Sequence, residues 1–308
     1  MNQSTRPAII KLGTIDCDMV EATPVVFKGE IWRGEWVRKD YYKQRAIDAN
    51  YYRFVNRDTG DTTEPLAVGT IFGSAFVDDG TVYVAGTVDG GRSGVRIFSS
   101  TDLARWEELP GVDLSLYRIW NTSICKADGR YAMMFEVSEP EEECGVAFTA
   151  RFAFSDDMRT WEITPPDCHY EKSRYTAPHC LRWLDGWFYD FYLEAYHEVR
   201  GWETRVVRSR DLIHWDSSPL NPVLSASDED KVIANPDIPP DERKRIAAIK
   251  DINNSDIDFT EHKGHLVINY SWGTQCGDEF LAEATYAGTL GQFLRGWFPH
   301  KPAHKEAK

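Results

Sequence analysis

The chain has 308 residues, 42% of them apolar and 13% aromatic, with a formal net charge of −14. That apolar content supports a sizeable core and excludes a disordered chain, while the acidity argues against nucleic acid, whose phosphates need clustered Lys and Arg. No stretch approaches a membrane span, and the N-terminal MNQSTRPAIIKLG lacks the apolar run of a signal peptide, which points to the cytoplasm, with a processed secreted form as the alternative.

In chain order, PAIIKLGTI (7–15) reads as an extended strand, and EATPVVFKGEIWRGEWV (21–37) as a β-hairpin turning on KG. FGSAFVDDGTVYVAGTV (72–88) repeats the hairpin on DDG, and GVRIFSS then leads into SSTDLARW (99–106). The same succession returns in WNTSICKADGRYAMMFEV (120–137) with FSDDMRTW (154–161), and in TAPHCLRWLDGWFYDFYLEAY (176–196) with RSRDLIHW (208–215). SDIDFTEHKGHLVINYSW (255–272) gives a last hairpin on HKG, followed by the strand EFLAEATYAG (279–288). Between the fourth and fifth hairpins lies an insertion, 225–253, in which PPDERKRIAAIKD reads as a short helix, with Pro at its start and acids in its first turn.

The corner Ser-x-Asp-x-x-x-Trp thus occurs three times, its tryptophans Trp106, Trp161 and Trp215 about 55 residues apart. A period of that length marks a repeat architecture. The Ser and Asp side chains can cap turn amides, and the Trp can pack between neighbouring sheets. In the first unit NRDTGD (56–61) stands where the corner belongs. The expected fold is all-β: a five-bladed β-propeller with four-stranded antiparallel blades and one short helical insertion before the last blade. The blades are expected at about 21–65, 66–112, 113–166, 170–222 and 250–295 of a single domain, the N-terminal strand completing the last blade. A sandwich or a two-domain β protein is the alternative.

In a propeller the first strand of each blade begins, and the second ends, on one face, so functional side chains are expected there. Five carboxylates fall at such positions: Glu21, Asp256 and Asp258 at strand starts, Glu136 and Glu194 at strand ends. Asp18 precedes the first start. Aligned on the turn glycines Gly29 and Gly264, Glu21 and Asp256 occupy the same blade position. Acids gathered at a funnel mouth, with Trp36, Trp120 and Trp272 nearby, have the composition glycoside cleavage needs, since one carboxylic acid protonates the leaving oxygen and a second acts as base or nucleophile. Crowded like charges raise at least one pKa, so an acid is available near neutral pH. His179, after the fourth blade start, is a candidate proton donor or cation ligand; Asn121 and Thr176 stand at the third and fourth starts. Each of these side chains is also accounted for by packing or capping alone. The six cysteines form no CxxC pair or metal-ligand spacing, and GTVDGGRSG (86–94) lacks the Lys and the strand-to-helix context of a phosphate loop.

The recurring corner resembles that of the five-bladed propeller glycoside hydrolases of families 43, 32, 62, 117 and 130, over residues of about 15 to 290. The resemblance implies an axial funnel, a single-displacement inverting reaction and at most a central-channel cation such as calcium; no other cofactor is expected. It also implies a triad of acids from which this chain departs. Where family 43 carries Asp on the first two blades and Glu on the third, this chain has Glu21 or Asp18, then Gly73, then Asn121; in TAPH, Thr176 stands in place of the Glu of a Glu-x-Pro. The resemblance is therefore to the group and to no one family. Family 117 enzymes use a histidine acid, which keeps His179 among the candidates.

The expectation is a glycosidase acting on the terminal bond of a small oligosaccharide or glycoside. Asp256 is the base or water activator, Glu194 the general acid with His179 behind it, and Glu21 an orienting carboxylate. Asp18, Trp36, Trp120, Asn121, Glu136, Thr176, Asp258 and Trp272 are candidate substrate contacts. Three alternatives remain open: a non-catalytic carbohydrate-binding propeller; a glycoside phosphorylase, which would need an Arg or Lys pair at the mouth from Arg38, Arg118 or the ERKR of the insertion; and a protein-interaction scaffold, which would show exposed apolar patches and no acid cluster.

Overall fold

The computed structural model describes residues 6–39, 46–196, 201–275 and 277–299. Within them the strands form four sheets and fall into five successive antiparallel groups, the last two joined into one sheet by a single parallel pairing, Trp202↔Asn253. Group one is Ala22–Phe27, Glu30–Val37 and Tyr51–Asn56. Group two is Ile71–Asp78, Thr81–Thr87, Val95–Ser100 and Glu107–Val112. Group three is Arg118–Ala127, Arg130–Glu139 and Thr149–Ser155, edged by the two short strands Glu162–Ile163 and His169–Tyr170. Group four is His179–Leu184, Trp187–Tyr196, Gly201–Ser209 and Trp215–Ser217. Group five is Asn253–His262, His265–Gly273 and Glu279–Tyr286, completed by the N-terminal strand Ile10–Cys17, which pairs antiparallel with Glu279–Tyr286.

The opening hairpin of every group turns on two residues with positive φ: Lys28 and Gly29, Asp79 and Gly80, Asp128 and Gly129, Asp185 and Gly186, Lys263 and Gly264. This is type I′ geometry, whose twist matches that of the strands, and it explains the glycine that ends all five dipeptides. The repeated corners do the capping expected of them. Asp157 Oδ1 accepts the Arg159 and Thr160 amides at 2.8 and 2.7 Å, and Asp102 and Asp211 do the same in their own turns. The corner tryptophans pack against the preceding group: Trp106 stacks on Phe54 at 5.7 Å, and Trp215 on Phe152 at 5.9 Å.

Apolar clusters fill each junction between successive groups. Phe54 and Val84 meet between groups one and two, Ile97 and Met133 between two and three, Phe152 and Leu181 between three and four, Phe191 and Tyr270 between four and five. Met19, Val37, Tyr51 and Leu281 then join group five to group one. The first strands likewise contact one another in succession, and that of group five contacts that of group one.

The N-terminal strand is fixed by buried hydrogen bonds on its Thr14. Thr14 donates its hydroxyl to the Asp230 carbonyl at 2.6 Å and accepts the Trp272 indole N–H at 2.9 Å. Gly13, at φ 111°, passes so near the Val232 carbonyl that a side chain there would collide with it. The insertion is thereby tied to the closing strand. Its helix is Pro240–Ala248, preceded by a 3-10 turn, Asp228–Lys231.

Three expectations are corrected. Group one has three strands rather than four: its outer edge is reduced to the bridges Tyr52↔Leu66 and Val55↔Thr62, because Pro65 between them has no amide for a ladder. The outer edge of group three is split in two. A C-terminal helix, Leu290–Gly296, lies where only the end of the last blade was expected; Thr289 and Gln292 form its capping box.

Candidate active site

The five first strands line two cavities. One, lined by Glu21, Gly73, Asn121, Pro178 and Asp256, has about 40 Å³, room for water but not for a sugar ring. The other, at the far ends of the same strands, has about 360 Å³.

Asp256 stands at the mouth of the smaller cavity on a β-bulge, where the register between the first two strands of group five shifts and φ is 52°. Aspartate tolerates this left-handed conformation better than most residues, and such strain collects at functional positions. Its Oδ2 accepts from Ser255 and Ser271 hydroxyls at 2.6 and 2.7 Å. Burial, and then Glu21 and Glu279, push its carboxyl up to about 7, and the two serines only partly offset them. Glu21 is gripped by Arg38, whose Nη2 lies 2.8 Å from each carboxylate oxygen; Arg38 Nη1 is 3.7 Å from Glu279. Burial works against the Arg38 charge, but Glu21, Glu279 and Asp256 outweigh it and raise its pKa. Groups one and five thus present three carboxylates around one guanidinium.

Around the mouth runs an unbroken arc of aromatic rings. Trp36 meets Phe72 at 4.7 Å, Phe72 meets Trp120 at 4.9 Å, and Trp120 meets Phe148 at 4.9 Å. Tyr175 follows at 5.5 Å from Phe148, and Trp202 at 5.1 Å from Tyr175. Burial, then Glu136, Asp256 and Glu279, hold the Tyr175 phenol above its usual range, which places the arc and the acids on one face. Trp36 is nearly buried beneath Arg38, and its indole N–H has no hydrogen-bond partner among the described residues.

The other candidates lie as follows. Glu136 is fully buried behind Asn121, whose Nδ2 donates to it at 3.0 Å, and it also accepts the His179 amide at 3.0 Å; burial raises its pKa. The His179 ring is enclosed, Nδ1 2.8 Å from Asp190 and Nε2 3.2 Å from Thr176 Oγ1. Burial opposes its charge, but Asp190 and then Glu136 raise its pKa. Thr176 is buried and donates to the Phe148 carbonyl, so it supports the arc from behind. Asp18 anchors the insertion through Arg245. Asp258 is paired with Arg182 inside the channel.

Two expectations change with these placements. Glu194 is held by the Tyr192 hydroxyl at 2.8 Å and faces Arg174 and Arg205 at 3.4 and 3.9 Å, a separate cluster on group four. Its side chain alternates onto the face turned to group three, where Tyr192 packs with Tyr170. Trp272 is fully buried against Phe280 at 4.7 Å and so offers no platform to a sugar; strand alternation turns it into the core. His197, which the sequence places beside Glu194 at the end of the same second strand, lies outside the described residues.

Sequence reasoning missed Glu279, Phe148 and Trp202, all at or beside the start of a third strand. A third strand begins on the face where the second ends, so the same rule would have found them. Among the described residues, three of the arginines named for a phosphorylase are engaged by carboxylates. Arg38 is taken by Glu21 and Glu279, Arg118 by Glu139 at 3.3 Å, and Arg245 by Asp18 and Glu242. A channel cation fits no better. Asp258 is already met by Arg182 and Asp190 by His179, and among the described residues no three His, Cys, Asp or Glu gather as ligands.

No protein-family model matches the chain, and no curated protein does. Solved structures do. An endo-arabinase from Bacteroides thetaiotaomicron superposes with a TM-score of 0.57 at 13% identity, over 89% of this chain and 95% of that one. A glycosyl hydrolase from Bacteroides ovatus gives 0.56 at 12% identity, over 92% and 94%. A family-43 glycoside hydrolase from Bacillus licheniformis gives 0.57 at 14% identity, over 90% of this chain and 54% of that one. The chain has the fold of these glycoside hydrolases, in agreement with the resemblance carried by its repeated corners.

Proposed function

We propose that the five strand groups are the blades of a five-bladed β-propeller, one domain, and that its axial mouth is the active site of a glycosidase. The closed succession of first strands and of apolar junctions supports the blade count. One observation carries the activity: Asp256 stands on a strained bulge in the mouth beside Glu21 and Glu279, where burial and those charges push its carboxyl up to about 7. A carboxyl with that pKa exchanges protons efficiently near neutral pH, as donor or as acceptor.

In this reading Asp256 activates water or protonates the leaving oxygen. Glu21 and Glu279, fixed by Arg38, hold the charge of the site and orient sugar hydroxyls. The rings from Phe72 to Trp202 hold the apolar faces of a terminal sugar and its neighbour. The structural neighbours are named as acting on glycosides, which makes a carbohydrate the substrate class favoured here.

A specific observation favours a second reading, a carbohydrate-binding propeller without turnover. Cleavage uses two carboxyls across one bond, yet Glu21 and Glu279 are shared with Arg38 and Glu194 stands apart among arginines. An initial-rate screen against aryl glycosides and neutral oligosaccharides separates the two. Release of a monosaccharide supports the glycosidase; sugar binding without release supports the binding module.

A further inference from the structure

The axial channel has a cation of its own. Arg182, on the first strand of group four, points across to group five. Its Nη2 donates to Asp258 and, at 3.0 Å, to the Phe259 carbonyl, while Nη1 donates to the Leu181 carbonyl at 2.8 Å. The guanidinium lies over the Phe259 ring at 4.7 Å. Both side chains are nearly closed to solvent, at 15% and 12% exposure. Asp258 lines the small cavity at the mouth, Arg182 lines the large one at the opposite end, and Thr23 lines both. The ion pair therefore stands between the two, within the ring of first strands.

We propose that Arg182 is the built-in counter-ion of this channel. It neutralises Asp258, ties the first strands of groups four and five together, and closes the channel so that the mouth is a blind pit. A fixed guanidinium with five donors satisfies one carboxylate and two carbonyls at once, which a point charge held by water would do less completely. The fold then requires no resident divalent metal, and anything bound at the mouth leaves by the way it came. This inference is independent of whether the mouth is catalytic.

The consequence for stability is directional. With Arg182 removed, Asp258 is left as an uncompensated enclosed charge, which is far costlier than losing the pair together. Thermal unfolding of the purified chain is the test. Wild type is expected to hold its Tm within about 1 °C in EDTA and in millimolar calcium, with no stoichiometric metal on elemental analysis. Arg182→Met is expected to lower Tm by about 6–10 °C, and Arg182→Met/Asp258→Asn to regain at least half of that loss. A Tm that falls several degrees in EDTA and returns with calcium overturns the proposal. So does a double variant no more stable than the single one. If Arg182→Met yields no folded protein while the double variant does, the proposal is supported; the wild-type metal measurement stands without either.

Discussion

Nη2 of Arg38 lies 2.8 Å from both carboxylate oxygens of Glu21, and its other terminal nitrogen reaches toward Glu279. One guanidinium thus holds together the carboxylates that, after burial, press hardest on Asp256. Removing it takes away the cation that Glu21 and Glu279 share, so Asp256 becomes harder to ionise. Arg38→Met is expected to raise the pH of the Asp256 ionisation, expected near 7 in the kcat/KM profile, and to lower kcat/KM at pH 7. Arg38→Lys, which keeps the charge but not the fork, is expected to restore the position of that ionisation in part. A profile unmoved by Arg38→Met would show that Arg38 does not set the charge of the site.

Trp120 sits at the middle of the aromatic arc, between Phe72 and Phe148, and anchors its indole N–H on Ser138 at 2.7 Å. If the arc holds sugar, Trp120→Ala is expected to raise KM, or the sugar dissociation constant, about 3- to 10-fold with kcat changed little. A loss confined to kcat would place Trp120 at the reacting bond instead.

Asp251 gives the folded protein a pH dependence of its own. Burial, and then its hydrogen-bonded neighbour Asp230, push it up to about 8. Its proton is bound more tightly in the folded than in the unfolded chain. The contribution is therefore full at a pH below the unfolded carboxyl pKa of about 4 and is lost as pH rises through about 8. Asp251→Asn keeps a donor toward Asp230 without needing that proton. It is expected to unfold at a higher temperature than wild type at pH 8.5, with the difference shrinking toward pH 6. Asp256, raised to about 7, leaves part of the slope in the variant.

The N-terminal strand is fixed by Thr14, whose hydroxyl serves the Asp230 carbonyl and the Trp272 indole together. Thr14→Val keeps the shape and strands both partners in the core. A loss of about 2–4 kcal/mol is expected, seen as a Tm lower by about 4–8 °C. Activity per folded molecule is expected to be unchanged, because Trp272 is a core residue and not a sugar platform.

The fold was legible because its signals are local. A dipeptide ending in glycine predicts a type I′ turn whatever surrounds it, and all five adopt one. The Ser and Asp of the corner bond amides within three residues, so their role follows from spacing alone. The outer edge of group one was illegible because only bridges remain of it, without a periodic pattern. In the site, the position of Asp256 followed from blade alignment on the turn glycines. Its partners did not, since Arg38 and Glu279 reach it from two other strands and no sequence period links them. Trp272 and Glu194 were misjudged for one reason. A strand end gives the height of a residue on the blade, whereas alternation decides whether it faces the mouth, a neighbouring group or the core.

The most direct test of the central claim is the initial rate of sugar release at pH 7 by wild type and Asp256→Asn on one substrate, with sugar affinity of the variant measured by calorimetry. Asparagine tolerates the same left-handed backbone and accepts the same two serine bonds. The account predicts that kcat falls about a hundredfold or more while sugar affinity stays within about threefold. Turnover by Asp256→Asn at the wild-type rate would contradict it.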